Sequence, residues 1–294
     1  MASRQPVIWW SLRCFMLLCG ALGHDAAVKL GGVVGRLVGF FSFSRTARAR
    51  SRAARILGVT DERAREIISG TYEHFGKALV EFIRLPRTYG NIGEFVTVKG
   101  EENIRAALSM GRGAIFLSAH IGCWEYGAAA LSRRGFPMNA LGTEQRDERI
   151  TKAILDIRSR AGVKPVGKGM DLRAALTCLK KNEVLAVLLD QDAKNGGILS
   201  PFLGHLASTP FGIIKIAHRH GIPIVPVHIT RDDDGRRMTM ILEAPLEGRD
   251  GRPFGEDIKY AVDKCNERIS EWIREKPGQW MWTYPRWEST LNDR

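Results

Sequence analysis

The chain has 294 residues, 44% of them hydrophobic, and a formal net charge of +12. That apolar content suffices to bury a large core in one large or two small domains, and the lack of internal repeats and low-complexity tracts sets aside repeat and disordered classes. The charge favours anionic partners such as nucleic acid, anionic lipid headgroups or an acidic protein. The five cysteines, at 14, 19, 123, 178 and 265, show no metal-site spacing and read as reduced thiols of a cytosol-facing protein.

The first forty-odd residues are apolar but interrupted. "PVIWWSLRCFMLLCGALG" contains Arg13 and two glycines, and "HDAAVKLGGVVGRLVGFFSF" carries Lys29 and Arg36 seven apart on one helical face. A clean spanning helix needs about 20 consecutive apolar residues, so residues 1–43 read as a membrane anchor or interfacial helices. A cleaved signal peptide around "CFMLLCGAL" and a buried helical hairpin are the competing readings. The five arginines and no acid of "SRTARARSRAAR", residues 44–55, argue for a cytoplasmic flank that favours anionic lipid.

Residues 60–84 have the spacing of an amphipathic helix, with Thr60 as its N-cap, an acidic first turn and Pro86 as its stop. From about residue 94 the pattern alternates. "EFVTVKG", "GAIFLSAH", "PMNALGT", "EVLAVLLD", "IPIVPVHIT" and "RRMTMILEAPL" read as strands. The segments between them read as helices, except that "DDDG" turns "IPIVPVHIT" into its hairpin partner "RRMTMILEAPL", and "EDIKYAVDKCNERISEWIREKPGQW" closes the chain as another helix. Near-continuous apolar strands separated by helices predict an α/β domain over residues 44–294. Its central sheet is mixed, mostly parallel, and covered by helices on both faces. Sites in such sheets lie at the carboxyl ends of the strands, where His120 and Asp190 both fall.

Within "SAHIGCWEYG", residues 118–127, His120 precedes Glu125 by five positions. With seven histidines and 32 acids in the chain, about one such pair arises by chance, and His228 with Asp233 is a second. Asp233 lies in the "DDDG" turn and reads as a solvated turn residue. His120–Glu125 instead spans a strand end, a glycine bend and a helix start. That bend can fold the acid back onto the imidazole, fixing its tautomer so that the other nitrogen removes a proton from an alcohol or thiol. The alternative is a capping histidine with an exposed glutamate. Cys123 is either a nucleophile or buried filler. "GVKPVGKG" misses the P-loop pattern because Gly169 replaces the magnesium-binding Ser or Thr and a helix precedes it, although Lys164 and Lys168 can still meet phosphate. "HRH" at 218–220 lacks the further ligands of a metal site. Asp190 and Asp192 in "LLDQDAKNGG" either position an arginine or substrate hydroxyl, or cap their loop.

Together these blocks resemble the bacterial lipid A biosynthesis lauroyl/myristoyl acyltransferases, within the wider lysophospholipid and glycerolphosphate acyltransferase group. "HIGCWE" resembles the family's His-x-Gly-Asn-Trp-Glu block, "TYEHFGKALVEFIRLP" the preceding helix, "LLDQDAKNGGILSPFLGHLASTPFG" its Asp-Gln loop and "PGQWMWTYPRW" its closing signature. The resemblance covers about residues 55 to 287. It implies acyl transfer from a thioester to a hydroxyl of a lipid A precursor, with His120 as general base and Glu125 as its orienting acid. Arg158, then Arg146, would serve the oxyanion or a phosphate, Asp190 and Gln191 would hold the substrate-facing loop, and Lys168 would bind substrate. No cofactor or metal is implied. The donor would be acyl carrier protein or a coenzyme A thioester, the acceptor an anionic glycolipid, and the location the cytoplasmic face of the inner membrane, with no nucleic acid involved. Another glycolipid or a lysolipid is the alternative acceptor, and a non-catalytic lipid-binding protein the alternative class. Cys123 stands where the family has asparagine, and "TYPRW" departs where a basic residue or histidine is common; both leave the acceptor open.

Overall fold

The computed structural model describes residues 5–141, 145–166 and 172–291. Lys168, expected to bind substrate, lies outside them.

Seven strands form the central sheet: β1 (Val96–Lys99), β2 (Ala114–Ser118), β3 (Met138–Leu141), β4 (Lys164–Val166), β5 (Val184–Leu188), β8 (Ile224–Arg231) and β9 (Met238–Leu242). Their order is β1-β9-β8-β2-β5-β3-β4. Every pairing is parallel except the β8–β9 hairpin. Both faces are buried because the connecting helices cross over them, which is why β2 reads as an unbroken apolar run. One face packs Phe116, Val225, Val227 and Met240 under α5 (Glu101–Ser109) and α6 (Trp124–Arg133). The other packs Ile115, Leu117 and Leu185 under α8 (Leu172–Lys180), α9 (Gly212–His220) and α10 (Ile258–Glu275).

A second hairpin, β6 (Ile198–Phe202) with β7 (His205–Thr209), lies within "LLDQDAKNGGILSPFLGHLASTPFG", where no strand is expected beyond "LLD". Its strands are five residues each and one carries Pro201, so its local signal is weak.

Among the described residues four helices precede the sheet: α1 (Gln5–Ala21), α2 (His24–Phe41), α3 (Phe43–Leu57) and α4 (Asp61–Thr88). Thr60 caps α4 as expected, accepting from the Arg63 amide. Pro86 does not stop α4, which continues to Thr88. A proline in the last turn forfeits one backbone bond, and a 3-10 turn at residues 89–94 takes up the exit. α2 and α4 touch backbone to backbone through Gly31, Gly35 and Gly76. A Cβ on Gly35 would stand 2.1 Å from the Tyr72 carbonyl oxygen, and one on Gly76 2.1 Å from that of Gly31. The arginine-rich stretch folds as α3, and not all of it faces outward. Arg52 is buried and donates to the Trp282 carbonyl, while Ala49, Ala53 and Ile56 join the core.

Candidate active site

β2 and β5 are neighbouring parallel strands whose register sets Ser118 opposite Leu188. Two residues beyond each lie His120 and Asp190, so the register brings them together. The Asp190 carboxylate accepts from the His120 backbone amide at 2.9 Å and meets its Nδ1 at 2.8 Å. Trp280 Nε1 donates to the same carboxylate at 2.8 Å. The C-terminal segment brackets the His120 loop through Gly122 N to the Gln279 carbonyl and Met281 N to the His120 carbonyl. Gly122 itself has φ +63°, and a Cβ there would lie 1.6 Å from the Ile229 carbonyl oxygen. Only glycine permits this bend between strand and helix.

Burial opposes charge on both members of the pair. For His120, the Asp190 carboxylate outweighs burial and, with the more distant Glu125, raises the imidazole pKa above its ordinary value. For Asp190, which is 2% exposed, the imidazole, the Trp280 indole and the His120 amide hold the carboxyl below its ordinary range. Both shifts favour an ionised carboxylate beside an imidazole that accepts protons readily. With Nδ1 engaged, Nε2 is left without a hydrogen bond among the described residues, and the ring is braced edge-on by Trp124 at 5.1 Å.

Glu125 does not orient His120. The start of α6 turns it to Arg158 on α7 (Glu148–Arg160), with Nη2 to Oε1 at 2.6 Å and Nε to Oε2 at 3.0 Å. Trp124 Nε1 also donates to it at 3.2 Å. The expected imidazole–Glu125 contact is replaced by imidazole–Asp190 because strand register brings Asp190 under the ring while helix geometry carries Glu125 past it. Arg158 is therefore held by its Nε and Nη2 edge, and Nη1 has no hydrogen bond among the described residues.

His120, Trp124, Glu125, Arg158 and Gln191 line a cavity of about 290 Å³. Its walls continue beneath α6 as Phe116, Gly127, Ala128, Met138, Ala140, Ala186, Val227 and Met240, all apolar. Gln191 is exposed at the rim, while Arg146 is exposed and does not contribute to the wall.

The other sequence candidates separate cleanly. Cys123 is 2% exposed, and burial, then the nearby Glu81 carboxylate, push its thiol well above the ordinary range, which removes it as a nucleophile. Asp192 caps its loop, accepting from the Lys194 amide and from Ser289 N and Oγ, so the two acids 190 and 192 have different tasks. Asp233 pairs with Lys276 in solvent, far from the role its spacing from His228 suggests. Lys164 is taken by Glu183 at 2.8 Å. Trp280 is the site residue that sequence reasoning did not single out. Its signal was membership in the closing Gln-Trp-x-Trp stretch, whose remaining large residues are structural. Trp282 donates to the Pro277 carbonyl, and buried Arg286 clamps β7 through Ser208 and Thr209.

The model of the bacterial lipid A biosynthesis acyltransferases matches residues 1–289. The chain belongs to that family. It is an acyltransferase, and the match runs through both the helical layer and the sheet. Among curated proteins it is similar to the phosphatidylinositol mannoside acyltransferase of Mycolicibacterium smegmatis, 24% identical over 78% of this chain and 74% of that one. It is likewise similar to the protein of that name from Mycobacterium tuberculosis, 23% identical over 83% of this chain and 78% of its relative.

Proposed function

We propose that this acyltransferase moves a fatty acyl chain from an acyl thioester to a hydroxyl of a membrane glycolipid, with His120 as the general base and Asp190 as its positioning residue. The 2.8 Å bond between His120 Nδ1 and Asp190 carries the reading, because it turns Nε2 to the reactants. Nε2 takes the acceptor hydroxyl's proton as its oxygen attacks the thioester carbonyl. Asp190 stabilises the imidazolium. The tetrahedral intermediate collapses by breaking its C–S bond, and the imidazolium returns the proton to the leaving sulfur, releasing ester and thiol. The free Nη1 of Arg158, whose position Glu125 fixes, suits the oxyanion or a substrate phosphate. The apolar cavity beneath α6 suits the acyl chain, with the thioester at its mouth.

The donor is acyl carrier protein or coenzyme A thioester, either of which brings negative charge to a chain of net charge +12. For the acceptor, the family points to a lipid A precursor, and the names of the curated relatives favour a phosphatidylinositol mannoside type of glycolipid. Among the described residues no single helix is long and apolar enough to cross a membrane; α2 and α3 would do so only as a pair bent by 94°. Phe40, Phe41 and Phe43 are nonetheless 64–70% exposed at that bend. This supports an interfacial anchor, and the arginine-rich α3 that follows favours the anionic cytoplasmic face of the inner membrane.

Mass spectrometry of total lipids with and without the gene identifies the acceptor as the species that lacks one acyl chain when the gene is absent. Purified membranes carrying the protein, given acyl thioester and that acceptor, should form the ester. Transfer by His120→Ala at the unmodified rate would overturn the base assignment.

A further inference from the structure

A second concavity, of about 560 Å³, lies away from the catalytic residues between α1, α4 and α7. Five cations reach it, Arg13, Arg87, Arg149, Lys152 and Arg160, against one carboxylate, Asp156. Some are already occupied. Arg149 is held by Asp147 at 2.7 Å and lies over the Trp9 ring at 5.3 Å, Arg160 is 3.7 Å from Asp156, and Arg87 donates to the Gly20 carbonyl at the end of α1. Arg13 and Lys152 have no carboxylate partner among the described residues, and both are exposed. The floor between the charges is apolar, formed by Met16, Ile83 and Pro86.

What borders this groove separates its occupants. Trp9, Arg13 and Met16 share one face of α1, at intervals of four and three residues. Trp10 and Leu17 occupy the adjoining face, 62% and 63% exposed, and Val7 and Leu18 continue it outward at 64% and 50%. An acidic protein would meet those cations with carboxylates but leave the apolar face in water. An anionic phospholipid satisfies both, with phosphate at the cations and acyl chains along Trp10 and Leu17, the arrangement of an interfacial helix.

We propose that the α1–α4–α7 groove is a binding site for the phosphate headgroup of an anionic phospholipid, distinct from the site of acyl transfer. Arg13 and Lys152 supply its unpaired charges, and the guanidinium of Arg149, already paired with Asp147, packs over Trp9 at the groove's edge. α7 links the two sites. Lys152 and Asp156 face the groove, while Ile154 and Arg158, offset around the same helix, wall the catalytic cavity. A lipid held in the groove thereby sets the height and tilt at which the cavity mouth meets the bilayer.

The test is co-sedimentation of the full chain with phosphatidylcholine vesicles that do or do not contain phosphatidylglycerol. Arg13→Gln with Lys152→Gln should weaken the preference for phosphatidylglycerol on the order of twenty-fold, about fivefold for each charge removed. The Lys180→Gln/Lys181→Gln control, at the carboxyl-terminal end of α8, should leave it unchanged. Lys152→Gln alone should give an intermediate loss, which guards against a folding defect in the double variant. Equal binding by wild type and the groove variant overturns the proposal. So does competition by inorganic phosphate at constant ionic strength, which marks a free-phosphate site. Loss of acyl-carrier-protein binding with vesicle binding intact would mark a protein dock and also overturn it. The assay needs no turnover, so its failure leaves the acyltransferase reading standing. Detergent-dispersed substrates should be acylated normally by the groove variant.

Discussion

His120 and His228 wall the same cavity, each has an indole against its ring, and each is followed five positions later by an acid in the sequence. Their pKa values nevertheless move in opposite directions. His120 lies just beyond the carboxyl end of β2, where the neighbouring strand delivers a carboxylate at 2.8 Å. His228 lies inside β8, stacked on Trp272 with ring centroids 4.7 Å apart, and its nearest acid, Glu243, stays at 3.8 Å. Burial therefore dominates at His228, only partly offset by Glu243, and its pKa falls to about 4. The lesson is positional: past a strand end the backbone turns and polar groups converge, whereas within a strand the covering layers remove water without supplying a partner.

Substitution of the two rings should separate them most sharply. His120→Ala should lower kcat by about 10³-fold or more, whereas His228→Phe should keep most of the activity, measured with saturating thioester. Comparable losses in both would break the contrast. Asp190→Asn should lower kcat by about 10²- to 10³-fold with little change in KM, since it removes imidazolium stabilisation without touching a substrate contact. The pH profile sharpens this further. Because Asp190 raises the His120 pKa, the wild-type rate should fall as pH drops through an inflection above the ordinary histidine value, and Asp190→Asn should move that inflection downward. An unmoved inflection would separate Asp190 from the titrating group.

Glu125→Gln should be milder, about ten- to a hundredfold in kcat/KM, because it loosens Arg158 without disturbing the His120–Asp190 bond. A larger loss than that of Asp190→Asn would restore Glu125 as the principal partner of the base. The smallest effect concerns stability. The folded pKa of His228 is depressed, so the unfolded chain protonates first. Stability present above about pH 6.5 is lost progressively as pH falls toward about 4. His228→Phe should flatten that part of the acid-unfolding curve while leaving stability at neutral pH nearly unchanged. Cys123→Ser should keep most of its activity, as its buried thiol serves packing rather than attack.

Most of the fold was legible because its elements announce themselves locally. Six of the seven strands of the central sheet are apolar runs bounded by glycine or charge, and Thr60 is followed by the acids that favour a helix start; the edge strand β4, only Lys164–Val166 with two exposed positions, carries no such signal and is placed by its pairing with β3. The β6–β7 hairpin was missed because its two short strands carry a proline and alternate weakly, so pairing with each other and packing against α10 decide it. Pro86 misled for a related reason. Its penalty is one hydrogen bond, which the contacts of α4 along a buried face override. In the site, the strand ends alone point to His120 and Asp190, but the local sequence offers Asp190 an arginine, a substrate hydroxyl or its loop as partner and not the His120 imidazole. Arg158 was expected at a substrate, yet its Nε and Nη2 are committed to Glu125.

Local sequence is enough for the α/β alternation, the two strand ends that carry His120 and Asp190, the glycine bend at 122 and the basic, apolar-edged N-terminal layer. Each follows from local chemistry: hydrophobic period, conformational freedom at one glycine, and charge. Which acid bonds His120 follows only from the tertiary structure. Glu125 is near in sequence, but α6 carries it away, and Asp190 is seventy residues on, but β2 and β5 run parallel in a register that sets Ser118 against Leu188. Parallel register is fixed by crossover helices and by packing on both faces of the sheet, which no stretch of adjacent residues encodes.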